Sequence, residues 1–244
     1  MPRRFDLPQL FLGLLAIAVA GVLMAHILGN TFRDVRHSRD TIQVTGSAKE
    51  PISANLVQWA LTVHAEAPTA PPGVRHLRRY TAIVRRFLQR GGVPADAISG
   101  SVVSSEKVVE HISKTKQRTY YRVSQQLEVS TREIDSVERV SARISQLIEQ
   151  GIGVSAEPLA YLSTELTQAK LDALEGATKD ARKRAEILVH GLGGKLGRMR
   201  ASSLGVYQIT PRDSTDVSDY GISDTSSREK DVNAVVSATF AVER

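Results

Sequence analysis

The 244-residue chain has no cysteine, which removes disulfides, thiolate nucleophiles and zinc-thiolate centres together. It also lacks H-E-x-x-H, G-x-S-x-G and P-loop motifs. "GLGGKLG" at 191–197 fails the dinucleotide pattern because Leu196 stands where a third glycine belongs, and it follows a helix where a phosphate loop should precede one. The six histidines (26, 37, 64, 76, 111 and 190) include no i,i+4 pair, so a structural hydrogen-bonding role is expected of His64 and His190. Aromatic residues are 5% of the chain, and no aromatic platform interleaves its arginines, which argues against nucleic acid as a partner. These absences predict no catalytic residue, no cofactor and no metal site. Asp213, Asp216 and Asp219, three apart, could gather a calcium ion but miss the D-x-D-x-D-G spacing.

What is present begins with "LFLGLLAIAVAGVLMAHIL", residues 10–28. Nineteen residues at about 1.5 Å each reach roughly 28 Å, close to the hydrocarbon thickness of a bilayer. Arg3 and Arg4 precede the run, and Ala16, Ala18 and Ala20 give it an A-x-A pattern, as in a cleaved signal. The apolar stretch nevertheless continues to Leu28, which favours an uncleaved anchor. Arginines flank it on both sides, at 3 and 4 and at 33, 36 and 39, so positive-inside counting nearly balances. A short N-terminal tail before a long domain favours N-in. The expected layout is a tail at 1–9, a transmembrane anchor at 10–28, a juxtamembrane linker at 29–40 and one domain at 41–244.

Within 41–244, strand and helix patterns alternate. Ile42 and Val44 share one strand face with Gly46 and Ala48. The alternation at Ile52, Ala54 and Leu56 then slips by one residue to Val57, Trp59, Leu61, Val63 and Ala65, which predicts a β-bulge in one long strand. Val74, Leu77, Tyr80, Val84, Phe87 and Leu88 recur at helical spacing, after Pro71-Pro72 and before Gly91-Gly92. A strand at 98–103 leads through a charged connection to a strand centred on 121–129. A second helix is predicted at 133–150, a strand at 156–166 and an Ala-rich third helix at 167–190. Strands at 198–209 and 232–242 bracket a polar loop, 210–231, with too few apolar side chains to bury and an expected mobility. The sum is an α+β fold: a largely antiparallel sheet with amphipathic helices packed on one face, preceded by one N-terminal transmembrane helix.

"VTGSAKEPISANLVQWALTVHAEA" and "AKLDALEGATKDARKRAEILVHGLGGKLGRM" resemble the opening strand pair and the signature helix of the SIMPL-domain family, bacterial cell-envelope proteins similar to YggE. His190 near the helix end and the long acidic 210–231 loop depart from that pattern. The resemblance spans about 41–243. It implies a periplasmic or membrane-attached α+β domain, often oligomeric, linked in some members to envelope or oxidative stress. It carries no catalytic residue over.

The formal net charge is +6, and the first helix concentrates it. Arg75, Arg78, Arg79, Arg85, Arg86 and Arg90 share it with no acidic residue between 74 and 90, so they repel one another without i,i+4 relief. A solvated face is the plain account. A docking surface is the sharper one, because guanidinium forks suit carboxylates and phosphates. Phospholipid headgroups are one partner. A neighbouring copy is the better one, since the 212–231 loop offers Asp213, Asp216, Asp219, Asp224, Glu229 and Asp231 against Arg212, Arg228 and Lys230. The expectation is a non-enzymatic protein of the bacterial inner membrane, single-pass, with its C-terminal domain in the periplasm and a homo-oligomeric assembly. The alternatives are a scaffold that recruits another envelope protein through 104–118 or 210–231, and a ligand-binding protein or enzyme whose site forms between subunits.

Overall fold

The alternation that slips at Leu56 marks a boundary between two strands, β1 (Thr41–Ser53) and β2 (Leu56–Ala67), in place of the single bulged strand expected. Asn55 makes the break. Its side-chain amide donates to Thr164 Oγ1 at 2.8 Å and accepts the Thr164 N–H at 2.9 Å, while its own N–H goes to Leu162 O. A side chain that satisfies neighbouring backbone in this way competes with a continuing ladder. The structure, a computed structural model, describes residues 18–21, 24, 40–113 and 116–243. Residues 18–21 and 24 are helical. The expected anchor at 10–28 otherwise lies outside the described residues, as does most of the 29–40 linker. Among the described residues no helix is long and apolar enough to cross a membrane.

The fold is mixed α+β with antiparallel sheets, and there are two of them where one was expected. The chain divides into two units, whose boundaries fall inside β1, the last helix and the last strand. The larger comprises 49–174 and 206–234. Its six-stranded sheet runs β3 (Ile98–Gly100), β5 (Lys116–Thr131), β2, β6 (Val154–Ala156), with β4 (Ser104–Ser113) also beside β5 and β7 (Ala160–Leu162) beside β2. Val57, Leu61 and Val63 of β2, with Val123 and Leu127 of β5, are fully buried. They share a core with Leu77, Val84 and Leu88 of α1 (Ala70–Arg90), Val137 and Val140 of α2 (Ile134–Ser141) and Leu147 of α3 (Ser145–Glu149). Burying each such leucine or valine is worth about 1.5–3 kcal/mol, so α1 is held by its core stripe more than by local propensity.

Three other expectations are corrected. The predicted helix 133–150 is two helices. Ser141 Oγ bonds back to Glu138 O, and the next turns close on i→i−3 bonds, Arg143 N to Val140 O and Ile144 N to Ser141 O. The strand at 156–166 is two three-residue strands on the edge of β2, separated around Pro158, which has no N–H to give a ladder. The charged connection after 103 is β4 itself, wet on both faces and therefore without alternation. An antiparallel ladder holds it to β5, with Glu106 in register with Arg122 and Glu110 with Arg118. Tyr120 also lies beneath the Arg118 guanidinium, 4.8 Å from the ring centre.

The second unit comprises the chain up to Ala48, 175–205 and 235–244. In it α4 (Leu166–Gly191) lays Ala181 and Ala185 on Val44 of β1 and on Ala238 and Phe240 of β11 (Glu229–Glu243). Gly46 explains the alanines. A β-carbon there would come within 2.2 Å of Ala181 N and 2.3 Å of Ala177 O, so helix and strand backbones touch where neither carries bulk. The far side of β11 carries β8 (Lys195–Leu204), antiparallel, with Phe240 opposite Met199 and Val236 opposite Leu204. In the larger unit, β9 (Gln208–Pro211) pairs with the first half of β11, and β10 (Ile222–Ser223) lies parallel beside β9.

Candidate functional site

The arginine helix is built as its periodicity requires: Leu77, Val84 and Leu88 face the sheet, so the intervening arginines face water. Arg75, Arg78, Arg79, Arg86 and Arg90 are exposed, and no described carboxylate lies within ion-pairing distance of any of them. Arg86 Nε and Arg90 Nε donate to the carbonyls of Ala82 and Arg86 on their own helix. Arg85 is different. Half-buried, it donates to Ile98 O at 3.0 Å and serves to hold β3. From Arg75 to Arg90 the free stripe extends for roughly 22 Å of helix.

The 210–231 stretch is tied down at 222–231, where β10 and the start of β11 lie, while 212–221 holds neither helix nor strand. Asp224 accepts hydrogen bonds from Ser226 N–H and Oγ, from Ser227 N–H and from Lys230 Nζ. Burial by itself would raise its pKa, but the Ser226 and Ser227 hydrogen bonds and the Lys230 charge outweigh burial and hold it at about 2. Lys230 is 2% exposed, and burial, opposed by Asp224, lowers its pKa. Asp231, also buried, pairs with Lys49 at 3.6 Å and accepts the Asp213 N–H. Arg228 reaches Asp135 at 2.6 Å and Glu138 at 3.8 Å. Glu138 in turn accepts the Tyr161 hydroxyl, and burial together with that bond pushes the phenol up to about 12. Arg212 pairs with Glu229 at 3.1 Å.

Internal pairing therefore sorts the acids proposed for docking. Asp224 is turned inward, and Glu229 and Asp231 are engaged. Asp213, Asp216 and Asp219 stay exposed along one stretch, with Val217 83% and Tyr220 98% exposed among them. Asp213 adopts φ 62°, and Asp216 exchanges hydrogen bonds with Ser214. These three acids do not form a cluster able to hold a metal, nor does any other group of described residues. The buried Lys230–Asp224 pair was missed by the sequence reading. Its signal was there: Lys230 shares the parity of Val232, Ala234 and Val236, the core-facing positions of β11.

A hollow of about 310 Å³ opens at the β2–β5 pair, lined by Gln58, Trp59, Glu128, Ser130, Glu157 and Pro158. Trp59 Nε1 donates to Glu157 O at 2.9 Å, which fixes the wall. The lining offers two carboxylates, from Glu128 and Glu157, and the Ser130 hydroxyl, with no histidine or lysine among the residues that form it.

A family model, SIMPL, described as "Protein of unknown function (DUF541)", matches residues 42–240. No curated protein matches the chain. Among solved structures, a "putative aminohydrolase" from methicillin-resistant Staphylococcus aureus aligns over 57% of this chain and 39% of its own, at 13% identity and a TM-score of 0.22. A "putative amidohydrolase/peptidase" from Burkholderia cenocepacia aligns over 55% of this chain and 35% of its own, at 10% identity and a TM-score of 0.20. This chain thus spans little more than a third of those proteins, and overlap that poor carries no argument about chemistry.

Proposed function

Because the chain belongs to the SIMPL family, we propose that it is a non-enzymatic cell-envelope protein, anchored in the bacterial inner membrane by residues 10–28 and self-associating through its α+β domain. The observation behind this reading is the split between charges that are satisfied within the chain and charges that are not. Five arginines on α1 and three aspartates at 213–219 are exposed, opposite in sign and without ion pairs among the described residues. Two such surfaces on one chain suit a head-to-tail contact between copies, the basic helix of one against the acidic stretch of the next. Val217 and Tyr220 would add apolar contact beside the aspartates. A role in envelope or oxidative stress fits the same placement.

Reversing Arg75, Arg78, Arg79 and Arg86 to Glu, followed by native mass measurement of the detergent-solubilised full chain, tests this. The expected result is a smaller assembly. Adding Asp213→Lys, Asp216→Lys and Asp219→Lys to the same chain should restore it, because the complementarity returns with both signs exchanged. An unchanged mass in the arginine variant removes the reading. The hollow at Trp59 favours a second reading, a carrier of a small polar ligand, and a ligand retained through purification at a fixed ratio would support it.

A further inference from the structure

The smaller unit leaves apolar side chains open on faces that elsewhere in it are covered. Ala181 and Ala185 of α4 pack on β1 and β11 and Val189 continues their buried stripe, whereas Leu188 beside it is left 49% exposed. Leu192, in the turn that closes the helix, is 86% exposed. Met199 sits opposite buried Phe240 and so on the helix side of the sheet, yet it is 54% exposed. The cause lies in β8, an edge strand that meets the core under α4 through Leu196, while Met199 stands outside that cluster. Summed, the three side chains expose on the order of 300 Å², an area comparable to that of patches that meet a partner or a membrane. Arg198 and Arg200 flank Met199 along this edge strand, exposed and without an ion pair among the described residues, whereas Lys195 faces Glu243 across the strand pair.

The chain enters this unit at the same end. Val242 N–H donates to Asp40 O, Val242 lies opposite Leu196, and Gly194 approaches Glu243 O. Only twelve residues, 29–40, separate that point from the end of the apolar run at Leu28. Fully extended they span at most about 40 Å. A bilayer holding residues 10–28 would therefore never be far from Leu192, and an anionic lipid surface matches both the apolar knob and the two free arginines.

We propose that Leu188, Leu192 and Met199, with Arg198 and Arg200, form a second membrane contact that lays the smaller unit on an anionic bilayer surface. The proposal rests on the reading of 10–28 as an anchor. The absence of native cysteine makes the test direct, because a Leu192→Cys variant carries one labelling site. Full-length protein bearing an environment-sensitive fluorophore at 192 is reconstituted into phosphatidylcholine vesicles with and without phosphatidylglycerol, and a label on Val102→Cys, at a position 88% exposed and outside both proposed contacts, serves as the wet reference. The expected result is blue-shifted emission and loss of iodide quenching at 192 alone, stronger with phosphatidylglycerol, that reliance on anionic lipid vanishing in Arg198→Ser/Arg200→Ser. Alkaline carbonate washing separates the two readings. Release from the vesicles overturns the anchor and this contact with it. Retention with a water-exposed label overturns the contact alone. A label that is dry regardless of lipid charge and self-quenches between copies also overturns it, and assigns the patch to a second copy.

Discussion

The outer face of α1 and the segment 224–231 are both dense in charge, and they use it in opposite ways. Along the segment, Asp224, Arg228, Glu229, Lys230 and Asp231 each find a partner, and two of the five, Lys230 and Asp231, are buried. On α1 five arginines face water with no counter-charge among the described residues. Charges removed from water must be paired or the fold is lost, whereas exposed charges impose no such demand and stay available to a partner. Pairing inside the chain is thus evidence of a structural role, and its absence on α1 is what makes that face a candidate for assembly.

The largest effect that would sharpen this contrast is expected from Asp224→Ala. It leaves Lys230 in the interior with only the Asp224 carbonyl as acceptor, and should lower stability by about 3 kcal/mol, read from urea unfolding. Acid should act on the same group. Its folded pKa of about 2 lies below the unfolded value of 3.8, so its contribution is present above about pH 4 and is lost as pH falls toward 2. That loss amounts to about 2 kcal/mol, and a urea series across the window should show it shrink in Asp224→Ala. Arg228→Ala removes pairs with the exposed Asp135 and the half-open Glu138 and should cost under about 1 kcal/mol. Smallest of all, the four α1 arginine reversals should leave stability within about 0.5 kcal/mol while changing assembly mass. If they unfold the chain instead, α1 is structural and the contrast between the two regions fails.

The helices and the central strands were legible because their apolar positions keep a period, as Leu77, Val84 and Leu88 do in α1 and Val57 to Ala65 do in β2. β4 was not legible, since a strand wet on both faces has no alternation to read. The slip at Leu56 is legible, but a phase change has the same signature whether a strand kinks or ends. At the site, the free arginines of α1 could be named beforehand, but Arg85 could not be told from its neighbours. Nor could Asp224 be separated from Asp213, Asp216 and Asp219 by spacing in a polar loop.

Sequence alone determined the family, the α+β class, the greasy run at 10–28 and the position of the basic helix, because each is a matter of local order and period. Tertiary structure alone decided that the strands form two sheets, that Gly46 admits the α4 backbone, and that Lys230 neutralises Asp224 internally. Those outcomes depend on which distant segments meet, and charge or shape becomes spent or available only once they have met.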